Sequence, residues 1–282
     1  MRTIFLLLLL LTPFSITAQE YFIEGSIQDK NQAPLAYVNV GIVSTTIGTV
    51  SNTDGQFKLT VKDLNKLQND TLRVSSIGFE TQNFLVSRLI KSPSLTITMQ
   101  PSTLVLNEVV VTPSDTKTYT EGKDKTSTNR QVNFSIATEQ NQNLGSEIGK
   151  KFKLSGRKDN YLKSFKFFIK YNDFKRVKFR INVYQLDKGD PGELLNDKNL
   201  FVEVTDKKTG WITVDLTNLN LVVKGDIAIG AEWVEHTANG KRLSLPIIVP
   251  SIGSTHYYKY GSQSNWRKFS SISSAMMLTY EK

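Results

Sequence analysis

Along residues 19–101 apolar and polar side chains alternate in short runs. Tyr21, Ile23, Gly25 and Ile27 fall on one face of an extended segment. Val38, Val40 and Ile42 repeat the pattern, as do Phe57, Leu59 and Val61, then Leu72 and Val74, then Leu95, Ile97 and Met99. A period of two over short runs predicts strands with one buried face. Turn-forming residues separate the runs at 29–34, Gly48, Asp54-Gly55, Asn69-Asp70 and Gly78, and short strands so punctuated predict a β-sandwich. Asp54-Gly55 suggests a two-residue type I′ hairpin, in which both central residues take positive φ. No further carboxylates follow that turn at calcium-binding spacing.

Residues 113–130 lose the alternation and carry almost no large apolar groups, which predicts a solvated linker or long loop. Strand patterns return beyond it, richer in aromatics. Phe165, Phe167, Ile169 and Tyr171 share one face. Val177, Phe179, Ile181 and Val183 share another, with Lys178, Arg180 and Asn182 opposite. Further strands are expected over 200–205, 211–216, 226–236, 244–249 and 275–280. About eight strands without helical periodicity predict a jelly-roll-like β-sandwich over 131–282. A small outer-membrane barrel is the rival architecture, with the basic face turned inward.

The N-terminal pattern also carries a resemblance. GSIQDKNQAPLAYVNVGIVSTTIGTVSNTDGQFKL, then TLRVSSIGFE, then LTITMQPSTLVLNEVVVT resembles the carboxypeptidase-regulatory-like domain of Bacteroidetes envelope proteins over residues 21–112. The shared marks are a G-x-(I/V) first strand, Pro-Leu before the second, Gly-Thr before a D-G-x-F turn, and an S-x-I-G-(F/Y) strand. The resemblance implies a transthyretin-like Greek-key sandwich and an accessory, non-catalytic role, either beside peptidase domains or at the front of TonB-dependent receptors. Residues 106–112, LNEVVVT, are similar to the segment that leads into the plug of such receptors, but the remaining chain is too short for a plug and a large barrel. The C-terminal half looks more loosely like secreted jelly-roll domains.

The first residues change the picture of location. Arg2 precedes an apolar run over 4–11, Pro13 breaks it, and Ala18 offers a small residue for cleavage. This is the three-part pattern of a signal peptide over 1–18, too short to span a bilayer. The domain reading is therefore 1–18 signal peptide, 19–112 first sandwich, 113–130 linker and 131–282 second sandwich. An exported protein of a Gram-negative envelope, in the periplasm or at the cell surface, is expected, with no transmembrane helix. The 282-residue chain contains no cysteine, so its stability rests on packed cores.

Charge is uneven. Residues 150–180 hold twelve Lys and Arg against two Asp. A positive face carrying Lys166, Lys170, Lys178 and Arg180 suits a polyanion, here lipopolysaccharide or an acidic glycan rather than nucleic acid. THYYKYGSQSNWRKF, residues 255–269, gathers Tyr257, Tyr258, Tyr260 and Trp266 beside polar residues, a composition suited to sugars or an outer-membrane protein partner.

Catalytic signals are sparse. The N-terminal domain holds no histidine, so it cannot be a His-ligated zinc peptidase. No G-x-S-x-G elbow, phosphate loop or dinucleotide fingerprint occurs, and no cofactor is called for. Asp187, Asp190 and Glu193 sit in a Gly- and Pro-containing turn and read as a solvated hairpin. The two histidines are His236 and His256, and strand alternation would put Glu232, Val234 and His236 on one face. The expected function is a non-enzymatic binding module for a glycan or envelope protein. A hydrolase seated in the C-terminal half, or a component of TonB-dependent uptake, is the alternative.

Overall fold

The computed structural model describes residues 20–62, 64–89, 94–102, 115–134 and 144–282. The expected signal peptide and the 106–112 segment lie outside the described residues. In chain order the first strands are β1 (Glu20–Asp29), β2 (Asn39–Ile42), β3 (Gly48–Val50), β4 (Gln56–Lys62), β5 (Thr71–Ser75), β6 (Gln82–Leu85) and β7 (Leu95–Met99). They form two sheets, β4-β1-β7 and β3-β2-β5-β6, with β1 antiparallel to β4 and parallel to β7. The residues whose alternation marked these strands fill one shared core, among them Ile23, Ile27, Val40, Phe57, Leu59 and Val74.

The turn at Asp54-Gly55 differs from expectation. β3 pairs with β2 and β4 pairs with β1, so the turn links the two sheets instead of closing a hairpin. Gly55 has φ of 73°, whereas Asp54 is not in the left-handed region. Asn52 organises the turn: its Oδ1 accepts from the backbone N–H of Asp54 (3.0 Å) and of Gln56 (2.8 Å). A side-chain acceptor two residues ahead mimics a backbone turn, and the Asp-Gly pair alone does not reveal it.

The second unit contains β8 (Thr118–Lys123), β9 (Gln131–Asn133), β10 (Glu147–Phe152), β11 (Asn160–Ile169), β12 (Tyr171–Asn172), β13 (Arg176–Asp187), β14 (Asp190–Leu194), β15 (Phe201–Thr205), β16 (Gly210–Asp215), β17 (Val222–Val223), β18 (Ile227–His236), β19 (Leu243–Ile248), β20 (Thr255–Lys259), β21 (Arg267–Ser270), β22 (Ser273–Ser274) and β23 (Met276–Glu281). A seven-stranded sheet runs β14-β13-β18-β10-β20-β21, with β15 also on β13. A five-stranded sheet runs β16-β11-β23-β8, with β17 on β11, and a four-stranded sheet is built on β19. The two large sheets face each other across an aromatic core in which Phe167 meets Phe179 at 5.2 Å and Phe152 meets Phe165 at 6.2 Å. The described strands form open sheets over a filled interior, so the barrel alternative does not describe this unit. Among the described residues no helix is long and apolar enough to cross a membrane.

The linker expected over 113–130 needs correction. Its residues 118–123 form β8, which pairs with β23 along its whole length. β8 is an edge strand with no fully buried side chain, so selection for alternation is weak there. Tyr119 stacks on Tyr280 at 5.8 Å and anchors it.

Candidate functional site

The seven-stranded sheet has two faces with different tasks. Its inner face carries Val177, Phe179, Ile181 and Val183 into the core, all at 0% exposure. Its outer face is covered in part by the N-terminal domain and in part by Trp266 of the unit's own loop. Register places Arg180 of β13 opposite Glu232 of β18, Glu232 opposite Glu147 of β10, and Glu147 opposite Lys259 of β20. A cross-strand row of plus, minus, minus and plus therefore runs across this face, and its Arg180 end meets the other domain.

Arg180 is 2% exposed and Glu232 1%. Arg180 Nε donates to Glu232 Oε2 at 2.8 Å, and Nη1 donates to the backbone oxygen of Tyr37, in the N-terminal domain, at 2.9 Å. Burial opposes the charge of both groups, yet their mutual attraction wins: Arg180 is raised and Glu232 lowered from their ordinary ranges. Glu147 has no such partner. Burial, and then the Glu232 charge, push its carboxyl up to about 7. Lys259 and hydrogen bonds from Asn182 and Tyr184 offset part of that. Asn182 Nδ2 bridges the two acids, donating to Glu147 Oε1 at 3.1 Å and Glu232 Oε2 at 2.9 Å. Tyr184 Oη donates to Glu147 at 2.9 Å.

Room for the Glu147 side chain comes from Gly230 on β18. A Cβ there would lie 2.2 Å from Glu147 Oε1. Gly230→Ala should therefore expel the carboxyl from its hydrogen bonds and destabilise the fold by about 1–3 kcal/mol, measured by chemical denaturation.

The joint between the domains is specific elsewhere too. Tyr37 adopts φ of 58°, an uncommon conformation for a bulky residue. Its hydroxyl meets Glu235 and accepts from Lys178 Nζ at 2.9 Å. Residues 261–265 dock on the first domain: Ser262 Oγ donates to Val40 O at 2.7 Å, and Gln263 Nε2 donates to Ser75 Oγ at 2.9 Å. Gly48 of the first domain allows the close approach, since a Cβ there would sit 2.9 Å from Ser262 N and Oγ.

These contacts redistribute the residues singled out from sequence. Lys178 and Arg180 lie at the interdomain face, whereas Lys166 and Lys170 belong to β11 or its end in the opposite sheet, where Lys170 Nζ donates to Thr128 O at 2.5 Å. The four do not form one basic surface, because consecutive basic strands were assigned to different layers. The aromatics separate as well. Tyr257 is fully buried on the outer face, where Trp266 packs on it at 6.2 Å and on Tyr184 at 5.6 Å. Tyr258 and Tyr260 meet edge to face at 4.4 Å and line a groove elsewhere.

Glu232, His236 and His256 do not converge either. A β-bulge in the β13–β18 pairing falls between the Lys178↔Glu235 and Phe179↔Trp233 pairs, so Val234 is an extra residue and the alternation slips. His236 consequently packs against Trp233 at 4.9 Å and Phe174 at 5.0 Å, away from the acids. His256 is buried beside Ser274, with Nδ1 and Oγ 2.7 Å apart. Burial, aided by the Lys150 charge, lowers its pKa to about 4. Among the described residues no group of three or more His, Asp or Glu is placed to hold a metal ion.

Two cavities stand beside these groups. One, of about 310 Å3, is a groove lined by Gln131, Asn133, His256, Tyr258, Tyr260, Phe269 and neighbouring apolar residues. The other, of about 230 Å3, lies between the domains, with Asn39, Ser75 and Thr81 on one wall and Arg180, Asn182 and Glu232 on the other.

Comparison with known proteins bears on the domain that forms the first wall. Residues 23–111 match the CarboxypepD_reg-like domain. The TonB-dependent receptor SusC of Bacteroides thetaiotaomicron is 32% identical over 94 residues, which cover 33% of this chain and 8% of the receptor. The CarboxypepD_reg-like domain is thus of a kind shared with a TonB-dependent receptor, and the present chain spans only a small part of that relative. Among solved structures, a clostridial cysteine protease, Cwp84 after propeptide cleavage, is 13% identical with a TM-score of 0.41, covering 92% of this chain and 70% of that one. A streptococcal ancillary pilin is 12% identical with a TM-score of 0.21, covering 90% and 59%. Neither likeness supports an inference about chemistry.

Proposed function

We propose that this chain is a non-enzymatic module of a Gram-negative cell envelope, exported to work beside a TonB-dependent receptor, and that it holds a glycan in the aromatic groove of its C-terminal domain. The groove carries the reading. Tyr260 and Phe269 are only partly covered, and the side chains of Gln131 and Asn133 lie at the same cavity. Rings beside amides suit a sugar, whose CH faces pack on the rings while its hydroxyls meet the amides. The similarity of the CarboxypepD_reg-like domain to SusC supports the envelope context.

A non-catalytic role accords with the state of the ionisable groups. His256 is held neutral and occupied by Ser274, and His236 is committed to ring packing. Glu232 is neutralised by Arg180. Glycan microarrays and titration calorimetry on the full chain test the proposal. Tyr260→Ala and Phe269→Ala should each weaken capture by roughly tenfold while leaving the thermal midpoint near that of the parent. Equal capture by parent and variants, or hydrolysis of the bound glycan, would refute it.

A further inference from the structure

Seven buried side-chain polar atoms lack a partner among the described residues, and four of them, Asn39 Oδ1, Arg180 Nη2, Asn182 Oδ1 and Glu232 Oε1, belong to residues lining the cavity of about 230 Å3 between the domains. An unpartnered buried polar group costs about 1–3 kcal/mol, so four on one wall system mark a space built to be filled. Arg180, Asn182 and Glu232 are all more than nine-tenths buried, and their free atoms are fixed by the bonds their other atoms already make.

We propose that this interdomain cavity is a binding site for a small uncharged polyhydroxylated molecule of about one sugar ring in size. The inventory of free atoms selects the class. One is a donor, on Arg180, and three are acceptors. An anion would satisfy the guanidinium and face three lone-pair oxygens. An ammonium would satisfy those oxygens and sit beside a buried cation. A hydroxyl both donates and accepts, so neighbouring hydroxyls match the wall without adding charge to a pair that is already balanced. The volume of about 230 Å3 accommodates such a ring.

The site draws on both domains: Asn39 and Thr81 come from the CarboxypepD_reg-like domain, and Arg180, Asn182 and Glu232 from the other. Occupancy therefore stabilises the docked pair, because a ligand that binds only the assembled form adds its binding free energy to it. This site is separate from the aromatic groove, and the two readings stand or fall independently.

The test uses the full chain with D-glucose, D-galactose and myo-inositol as probes, and phosphate and ethylamine as charged comparators. Ligand-observed NMR and thermal shift read binding, and a crystal soak locates it. At least one polyol should bind saturably at millimolar concentration and raise the midpoint, with density in the cavity. Asn39→Leu removes one free acceptor and fills the space without touching the buried ion pair, and should weaken that binding by at least about tenfold. In Tyr260→Ala, whose aromatic groove is impaired, ring density in the interdomain cavity should persist. Should Asn39→Leu fail to fold, Thr81→Leu serves the same end from the neighbouring wall. The proposal is overturned by preferred binding of either charged comparator, by polyol binding indifferent to the cavity-filling variant, or by a soaked crystal showing ordered water alone in the cavity.

Discussion

Arg180→Met should destabilise the C-terminal domain by about 3–5 kcal/mol, the largest effect expected of any single substitution at the interdomain face. Methionine approximates the length of the arginine stem, so little packing is lost. What remains is Glu232, at 1% exposure, with its cation gone and a second carboxyl one strand away. The hydrogen bond from Nη1 to Tyr37 O is lost as well, which releases one tie between the domains. Two controls isolate the electrostatic cause. The double variant Arg180→Met with Glu232→Met should recover much of the loss, since exchanging a buried ion pair for apolar groups is often close to neutral. The deficit of Arg180→Met should also shrink in acid, where Glu232 can take a proton. Chemical denaturation followed by tryptophan fluorescence measures each arm. A loss below about 1 kcal/mol for the single variant would mean the pair is effectively solvated.

The contrast between fold and site explains what could be seen in sequence. Val177, Phe179, Ile181 and Val183 were legible because one face of β13 meets hydrocarbon, and alternation is the signature of that asymmetry. The other face of the same strand is equally buried but meets a polar surface, so Arg180 and Asn182 carry the pattern of a solvated face. Burial by a second domain leaves no trace in hydropathy when the interface is polar. Nothing in the alternation marks β10, EIGKKF, whose Lys150 opens the basic run of 150–180, although Glu147 and Lys150 are buried on its opposite faces. The bulge at Val234 was hidden for a different reason. A single inserted residue reverses the facing of everything beyond it, and no residue type in WVEH signals it. The loop 261–265 shows the same limit: its small polar residues describe a surface loop, and only the structure shows that they meet the backbone of Val40 and Thr45. In the CarboxypepD_reg-like domain five of the seven strands are legible because its core is closed and apolar, whereas β3 is too short and β6 too exposed to show alternation.

Glu147 should make the docked structure lose stability as pH rises from about 4.5 to about 7, by up to about 3 kcal/mol. Because the folded state holds this proton more tightly than the unfolded chain, the folded form binds more protons between those two values. Stability from this group is thus fully present below the unfolded pKa and is lost as pH climbs through the folded one. The groups facing it define the effect: Glu232 on β18 repels the ionised form, Lys259 on β20 attracts it, and Asn182 and Tyr184 on β13 donate to it. His256 works in the opposite sense. Its folded pKa of about 4 lies below the ordinary 6.5, so its contribution is present above 6.5 and lost as pH falls toward 4. The two slopes oppose each other over most of the same window, so the parent profile alone would look nearly flat. Glu147→Gln separates them. Glutamine keeps the shape and neutrality of the protonated acid, so parent and variant should be similar near pH 4.5 and the variant should be the more stable at pH 8. The variant should also show the His256 slope unmasked, gaining stability as pH rises toward 6.5. Denaturant midpoints of both proteins at intervals across this range decide the matter, and a parent-minus-variant difference that stays constant with pH would show that Glu147 titrates alike in the folded and unfolded states.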